Sequence, residues 1–341
     1  MTTTFGKARV NKLPAKTFFA RRTETRAIIL LAVVLIYALI TQPVIFTAYN
    51  VTLSRIALDG LVALGLTLVI LQGELDLSVG SVLAASGAVV ALNSSLGVGI
   101  ALALILGLAI GLVNAFLVVF LKVNSFIATL GTMFAVRGLA FVLTAGQPVP
   151  IENTDAGVSF GQPVFWGFTP RILIFMAVFA ALHIFLTRTK VGREFYAVGG
   201  NRQAAVDAGL PVRRRLTTSF VMCALLASVA GIINTLELTS ATPTAGSTVL
   251  LVGIAAAVVG GILLNGGRGT IVGTLIGASA LGILQITLDF GGYAPEIKDI
   301  LIGVVLFIAI TTDPASLRLL RERAKDLVGR LRQEPDNDPR F

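Results

Sequence analysis

The sequence predicts an all-α, polytopic membrane protein with about ten transmembrane helices. Hydrophobic residues make up 55% of the 341-residue chain and charged residues only 13%, about half the share found in soluble domains. Its apolar residues, with a mean hydropathy of +0.88, occur in runs of about 20, the length needed to cross a bilayer. So apolar a composition excludes a soluble enzyme and a disordered chain. A disulfide scaffold is excluded because Cys223 is the only cysteine.

Ten apolar segments are long enough to be interpreted as spans, and short polar or charged stretches separate them. The predicted spans are 27–47, 55–72, 78–94, 97–120, 124–144, 171–187, 215–236, 248–264, 270–289 and 297–312. The first is interpreted as a span and not as a removed signal peptide, because no small-residue cleavage site follows it. Residues 145–170 are rich in Gly, Pro and aromatic residues, which predicts a loop.

Basic residues are sorted into three segments, 1–26, 187–215 and 313–341, which hold 21 of the 27 lysines and arginines. Ten spans place all three segments on one side, and the positive-inside rule makes that side the cytoplasm. The net charge of +9 therefore reflects topology and not nucleic-acid binding. We predict a cytoplasmic N-terminal segment 1–26, a transmembrane domain 27–312 with a cytoplasmic loop at 188–215, and a cytoplasmic tail 313–341.

A weak internal similarity relates spans four and nine. The stretch from Gly107 to Asn114 is similar to the stretch from Gly277 to Gln285. Because spans two to five begin outside and spans seven to ten inside, a repeat relating them would be inverted, as in many transporters. Chance similarity between Gly-rich helices is the alternative, since such glycines serve close packing.

Residues 73–80, Gly-Glu-Leu-Asp-Leu-Ser-Val-Gly, place two carboxylates between two apolar spans. Because a charged side chain at mid-bilayer costs at least about 2.5–3.5 kcal/mol, Glu74 and Asp76 predict a break that lines a cavity or a cytoplasmic interface. Ser78 is placed to cap the following helix, with help from Asp76. An ordinary interhelical cap without substrate contact is the alternative.

Polar side chains also lie at membrane depth in and around span five. Thr129, Thr132 and Arg137 are spaced to share a helix face, although Arg137 could equally join two helices by bonding to backbone carbonyls. Amide, hydroxyl and aromatic groups suit a neutral, hydroxyl-rich solute. The candidate path residues are Glu74, Asp76, Ser78, Asn114, Asn124, Ser125, Phe126, Thr129, Thr132 and Arg137.

A short helix with its own start and stop signals is predicted in the basic loop. Asn201 is its N-cap, residues 202–208 favour helix, and Gly209 followed by Pro211 ends it. So short a helix is unstable alone, and it must pack on a cytosolic partner or on this chain's own cytoplasmic ends. The sequence contains no phosphate-binding P-loop, and His183 is too isolated for a metal site, so we expect no cofactor.

Together these motifs resemble the ribose-type ABC sugar permeases over about residues 50–312. Residues 73–80 are similar to the family signature, commonly GGIDLSVG. Further similarity lies in Asn114, Phe126 to Met133, Arg137-Gly138, Gly192 to Gly209, Val258 to Gly261 and Gly266 to Gly269. The resemblance implies a homodimeric permease of the bacterial inner membrane that performs no chemistry. It would work with a cytosolic ATPase, usually a double-cassette protein, and a periplasmic or lipid-anchored sugar-binding protein.

By position, the resemblance makes 201–208 the coupling helix that docks on the ATPase. The residues expected to couple are Gly199, Gly200, Asn201, Arg202, Ala204, Ala205 and Gly209. The chain departs from the family at Glu74-Leu75, usually Gly-Ile, and at Val249 to Gly253, usually Glu-Leu-Asp. A polyol, another monosaccharide or a related small metabolite therefore stays open beside a pentose. An ion-coupled secondary transporter, using Asp59, Asp76 or Glu237, is the rival hypothesis.

Overall fold

The computed structural model describes residues 24–152 and 154–311, which are mostly α-helical. Most of the predicted segment 1–26 and the whole predicted tail 313–341 lie outside the described residues. The helices are α1 Thr25–Thr41, α2 Val44–Thr47, α3 Tyr49–Ile70, α4 Val79–Ala91, α5 Leu96–Ala115, α6 Ser125–Leu143, α7 Thr154–Gly161, α8 Pro170–Arg188, α9 Lys190–Gly200, α10 Arg202–Asp207, α11 Val212–Leu238, α12 Ser247–Val259, α13 Ile271–Phe290 and α14 Pro295–Thr311. A π-helix, Phe116–Phe120, extends α5, and the antiparallel strands β1 (Val149–Pro150) and β2 (Ser240–Ala241) pair.

Every predicted apolar segment contains a helix. Six helices of the described chain are long and apolar enough to cross a membrane: α3, α5 with its π extension, α6, α8, α11 and α13. Helices α1, α4 and α12 are shorter and also apolar, whereas α14 carries three charged residues near its start. The chain is therefore a helical, multi-pass membrane protein, and a total of ten spans stays a prediction.

Helix α3 forms the centre of the bundle, with 89% of its apolar window buried. It packs against α11, α12 and α13, and α11 in turn packs against α4 and α5. The outer helices α5, α6 and α8 bury only 22–28% of their apolar windows, so most of their apolar surface faces outward. Such exposed apolar surface is expected where helices contact lipid.

Small residues allow the inner helices to approach closely, as their spacing in the sequence indicates. A Cβ added at Gly111 of α5 would lie 2.8 Å from the Cα of Val221 in α11. A Cβ at Gly260, just after α12, would lie 2.5 Å from the carbonyl carbon of Gly273 in α13. Packing is thus the role of these glycines.

Candidate functional site

The predicted break between spans two and three is confirmed: residues 71–78 leave the helix between α3 and α4. Gly73 has a φ of +75°, which reverses the chain at the end of α3. The backbone N–H of Leu75 donates to Ser125 Oγ at 3.2 Å, and that of Leu77 donates to Thr129 Oγ1 at 3.1 Å. Side chains of α6 therefore satisfy backbone groups that the helix no longer pairs.

Asp76 is fully buried in this first break and ties it to α5. Its Oδ1 accepts hydrogen bonds from the backbone N–H of Ser78 at 2.9 Å and from Ser78 Oγ at 2.6 Å. The side-chain amide of Asn114 donates to Ser78 Oγ at 2.9 Å and to Asp76 Oδ1 at 3.3 Å. These contacts fit the interhelical alternative that the sequence left open.

The expected capping role of Ser78 is wrong, because its side chain makes no capping hydrogen bond to α4. The Ser78 hydroxyl instead donates to Asp76 Oδ1, and its oxygen accepts the side-chain amide of Asn114 in place of a backbone N–H of α4. Asp76 itself accepts the backbone N–H of Ser78 at the start of α4. The sequence predicts that Asp76 assists capping in this way.

A second break separates α11 from α12 at residues 239–246. Thr239 and Gly246 both have positive φ values, +50° and +76°, at its two ends. The guanidinium of Arg137 in α6 donates to the carbonyl oxygens of Pro243 at 2.9 Å and Ala245 at 3.1 Å. Of the two interpretations of Arg137, the structure supports the one in which it binds backbone carbonyls of a neighbouring segment.

The two breaks bring the N-termini of α4 and α12 together. A Cβ at Gly80 would lie 3.1 Å from the carbonyl carbon of Gly246, so only glycines allow this approach. Both helices have only 13 residues, and each follows a break. Short, interrupted helices in corresponding positions of two repeats mark substrate sites in transporters.

An open cavity of about 400 Å³ lies where these helix ends meet. Its lining residues are Leu77, Gly80, Ser81, Met133, Phe134, Arg137, Phe141, Thr244, Gly246, Ser247 and Leu250. Ser81 Oγ is buried and has no hydrogen-bond partner among the described residues. The volume of the cavity falls in the range of small-molecule sites, roughly 300–1,000 Å³.

Of the predicted path residues, Arg137 lines this cavity, whereas most of the others support it from outside. Ser125 and Thr129 hold the first break, and Asn124 caps α6 by accepting the N–H of Phe126 at 3.0 Å. Thr132 Oγ1 donates to the Thr129 carbonyl at 3.2 Å.

Sequence reasoning missed Ser81, Thr244 and Ser247 as lining residues. The first lies one turn beyond Ser78. The other two belong to a polar run, 239–248, between two apolar spans, and that run was the available signal.

The intramembrane carboxylates of the rival hypothesis have partners. Asp59 in α3 accepts from Arg55 Nε and from the Gln285 side-chain amide, each at 3.1 Å. Glu237, at the end of α11, is ion-paired with Arg171 of α8. Neither carboxylate lines the cavity.

The predicted short helix of the basic loop is present as α10. Asn201 Oδ1 accepts the backbone N–H of Ala204 at 2.9 Å, and Gly209 has a φ of +73° after the last turn. Ala205, expected among the docking residues, is instead buried among Val198, Val212 and other apolar side chains. Ala205 therefore has a structural role, because the side of α10 that carries it packs against α9 and α11 of the same chain. The exposed surface of α10 includes Arg202, Gln203, Ala204, Val206 and Asp207.

Residues 190–200, which the sequence left as loop, form α9. Thr189 caps it by accepting the backbone N–H of Gly192 at 3.0 Å. Burial, and secondly the carboxylate of Glu24, raises the pKa of Tyr196. Helices α9 and α10 thus form a small, ordered surface between α8 and α11.

A bundle of apolar helices around an open cavity, lined mostly by apolar side chains with a few polar groups, is typical of a membrane transport protein. The family model described as "Branched-chain amino acid transport system / permease component" matches residues 49–310. The chain belongs to this family of ABC-importer permeases. Its members are membrane subunits, and a separate subunit hydrolyses ATP.

Curated relatives cover most of the chain. The ribose import permease protein of Escherichia coli is 40% identical over 299 residues, covering 85% of this chain and 93% of that protein. The ribose import permease protein of Bacillus subtilis is 41% identical over 266 residues, or 76% and 83% of the two chains. The L-arabinose transport system permease protein of Escherichia coli is 34% identical over 262 residues, or 76% and 80%. No solved structure matches significantly.

Proposed function

We propose that this chain is the permease subunit of an ATP-driven, binding-protein-dependent importer that carries a monosaccharide or related polyhydroxylated solute across the bacterial inner membrane. The observation that carries the proposal is the cavity at the meeting point of α4 and α12, whose two breaks are held by α6. The named activities of the curated relatives, ribose and L-arabinose transport, point to the same substrate class.

The chemistry of the cavity favours a neutral, hydroxyl-rich solute over an amino acid. Its lining contains no carboxylate to receive an ammonium group, and the guanidinium of Arg137 is already bonded to two carbonyls. The hydroxyls of Ser81, Thr244 and Ser247 suit sugar hydroxyls. Leu250 stands where the family usually has an acidic stretch, so a less polar sugar or a polyol fits as well as a pentose.

The remaining features of the assembly are part of the same proposal. Ten spans, with both termini and the coupling loop 188–215 in the cytoplasm, account for the sorting of basic residues. The cavity is open and bordered by exposed aromatic residues such as Phe134, so a second copy of the chain would close it. The exposed side of α10 would dock on the ATPase, a double-cassette protein in this proposal, and a sugar-binding protein would deliver substrate from outside.

Reconstitution tests the proposal directly. The chain is inserted into proteoliposomes with its ATPase and binding protein, and uptake of labelled ribose, arabinose, a polyol and leucine is measured with and without ATP. We expect ATP-dependent uptake of a polyhydroxylated solute and none of leucine. Gradient-driven uptake by the chain alone would instead support the ion-coupled rival. Uptake of leucine only would overturn the substrate class.

A further inference from the structure

The helix α10 is joined directly to the first break through Arg202. The Nη2 of Arg202 donates to the backbone carbonyl of Gln72 at 3.1 Å and to Glu74 Oε1 at 2.8 Å. Glu74 is mostly buried, with 11% of its side chain exposed, whereas Arg202 is about half exposed. A guanidinium that binds a carboxylate and a carbonyl together holds both in a defined geometry.

Glycines bring the backbones of three segments together beside this ion pair. The N–H of Gly267 donates to the carbonyl of Leu71 at 2.8 Å. A Cβ at Gly199 would lie 2.7 Å from Gly267 N, and one at Gly267 would lie 2.5 Å from the Cα of Gly200. With backbone packed directly on backbone, a displacement of α9 or α10 cannot be absorbed by side-chain rearrangement.

From Glu74 the chain reaches the cavity within a few residues. Leu75 and Leu77 are hydrogen-bonded to α6 through Ser125 and Thr129, and Leu77 and Gly80 line the cavity. The segment is not helical, but its backbone is fixed at both ends. It therefore connects the exposed surface of α10 to the cavity wall by a short, ordered path.

We propose that the Arg202–Glu74 ion pair is the link through which α10 moves the wall of the cavity. When the docked ATPase displaces α10, Arg202 pulls on the carboxylate of Glu74, and the 73–80 segment shifts Leu77 and Gly80. The inference rests on the proposed function and deepens it. The related signature commonly has glycine at the position of Glu74, so the link depends on an acidic residue that this pattern does not supply.

The test compares Glu74→Ala, Arg202→Ala and the charge swap Glu74→Arg with Arg202→Glu in the reconstituted complex. Lys298→Ala is the matched control, because it removes a similar ion pair, to Asp289, that joins α13 and α14 away from α10. Two quantities are measured for each variant: copurification of the ATPase, and solute transported per ATP hydrolysed.

Each single variant is expected to keep the ATPase bound and to transport about tenfold less solute per ATP, the loss typical of one charge-assisted pair. The swap is expected to recover a substantial part of that loss, and Lys298→Ala is expected to match the wild type. Wild-type transport by Glu74→Ala would overturn the link. So would loss of ATPase binding in Arg202→Ala alone, which would assign Arg202 to docking. A wild-type complex that transports nothing would refute the proposed function itself.

Discussion

Truncation of Asp76 is expected to destabilise the protein more than any exposed carboxylate change. Asp76→Ala removes the acceptor of the Ser78 N–H and the Ser78 hydroxyl, whereas the Asn114 amide keeps Ser78 Oγ as its partner. Two donors are thus left unpaired in a fully buried site. Each unpaired buried donor costs about 1–3 kcal/mol, so the free energy of unfolding should fall by about 4 kcal/mol.

The chain contains its own reporter of unfolding. Cys223 is the only cysteine and is 1% exposed in α11, so a thiol-reactive fluorophore labels it when the bundle opens. Heating the detergent-solubilised protein with this dye gives a melting temperature. At about 2 °C per kcal/mol for a chain of this size, Asp76→Ala should melt about 8 °C below the wild type.

Two further variants make the result specific. Asp76→Asn keeps an oxygen that can accept both hydrogen bonds from Ser78 and should lose much less stability than Asp76→Ala, whereas Asp207→Ala, on the exposed side of α10, should melt with the wild type. The reasoning fails if Asp76→Ala melts with the wild type. It fails equally if Asp76→Asn and Asp76→Ala melt at the same temperature, since the carboxamide oxygen would then accept no stabilising hydrogen bond.

Three other predictions concern α6, the exposed side of α10, and Trp166. Arg137→Gln removes the charged donor to the second break, so uptake should fall about tenfold while ATPase binding persists, and unchanged uptake would contradict that role. Val206→Glu places a charge on the exposed side of α10 and should abolish ATPase copurification, whereas Val158→Glu, on the equally exposed α7, should not. Trp166 is the only tryptophan and is 85% exposed just before α8, so its fluorescence should be quenched by brominated lipids more than by aqueous acrylamide, and the reverse order would place it in water.

The features that the sequence predicted correctly depend on local chemistry. Glycines and two carboxylates between apolar runs predicted the first break, because no continuous membrane helix accommodates them cheaply. Asn201 and Gly209 predicted the limits of α10, because capping is decided within a few residues of the helix ends. Long apolar runs likewise predicted the helices themselves.

The features that the sequence did not predict depend on distant partners. Ala205 is buried because Val198 and Val212 of other helices lie against it, and six helical residues are too few for a hydrophobic pattern to show which side is covered. Likewise Ser78 has a good capping position, but its hydroxyl accepts from Asn114 and donates to Asp76. A sequence pattern indicates which residues suit a role, but it does not show which side chains the fold places beside them.

Helix α6 gives the polar residues of span five a common role that their spacing alone did not reveal. Thr129 holds the first break and Arg137 holds the second, eight residues further along. Eight residues rise about 12 Å along an α-helix, so α6 contacts the two breaks at points about that far apart along its axis. An inverted repeat would place such breaks at corresponding points of its two halves, approaching each other from opposite sides of the membrane. On this argument α6 holds the two breaks that border the cavity, and the proposed function assigns solute contact to Ser81 and Ser247 at the helix ends.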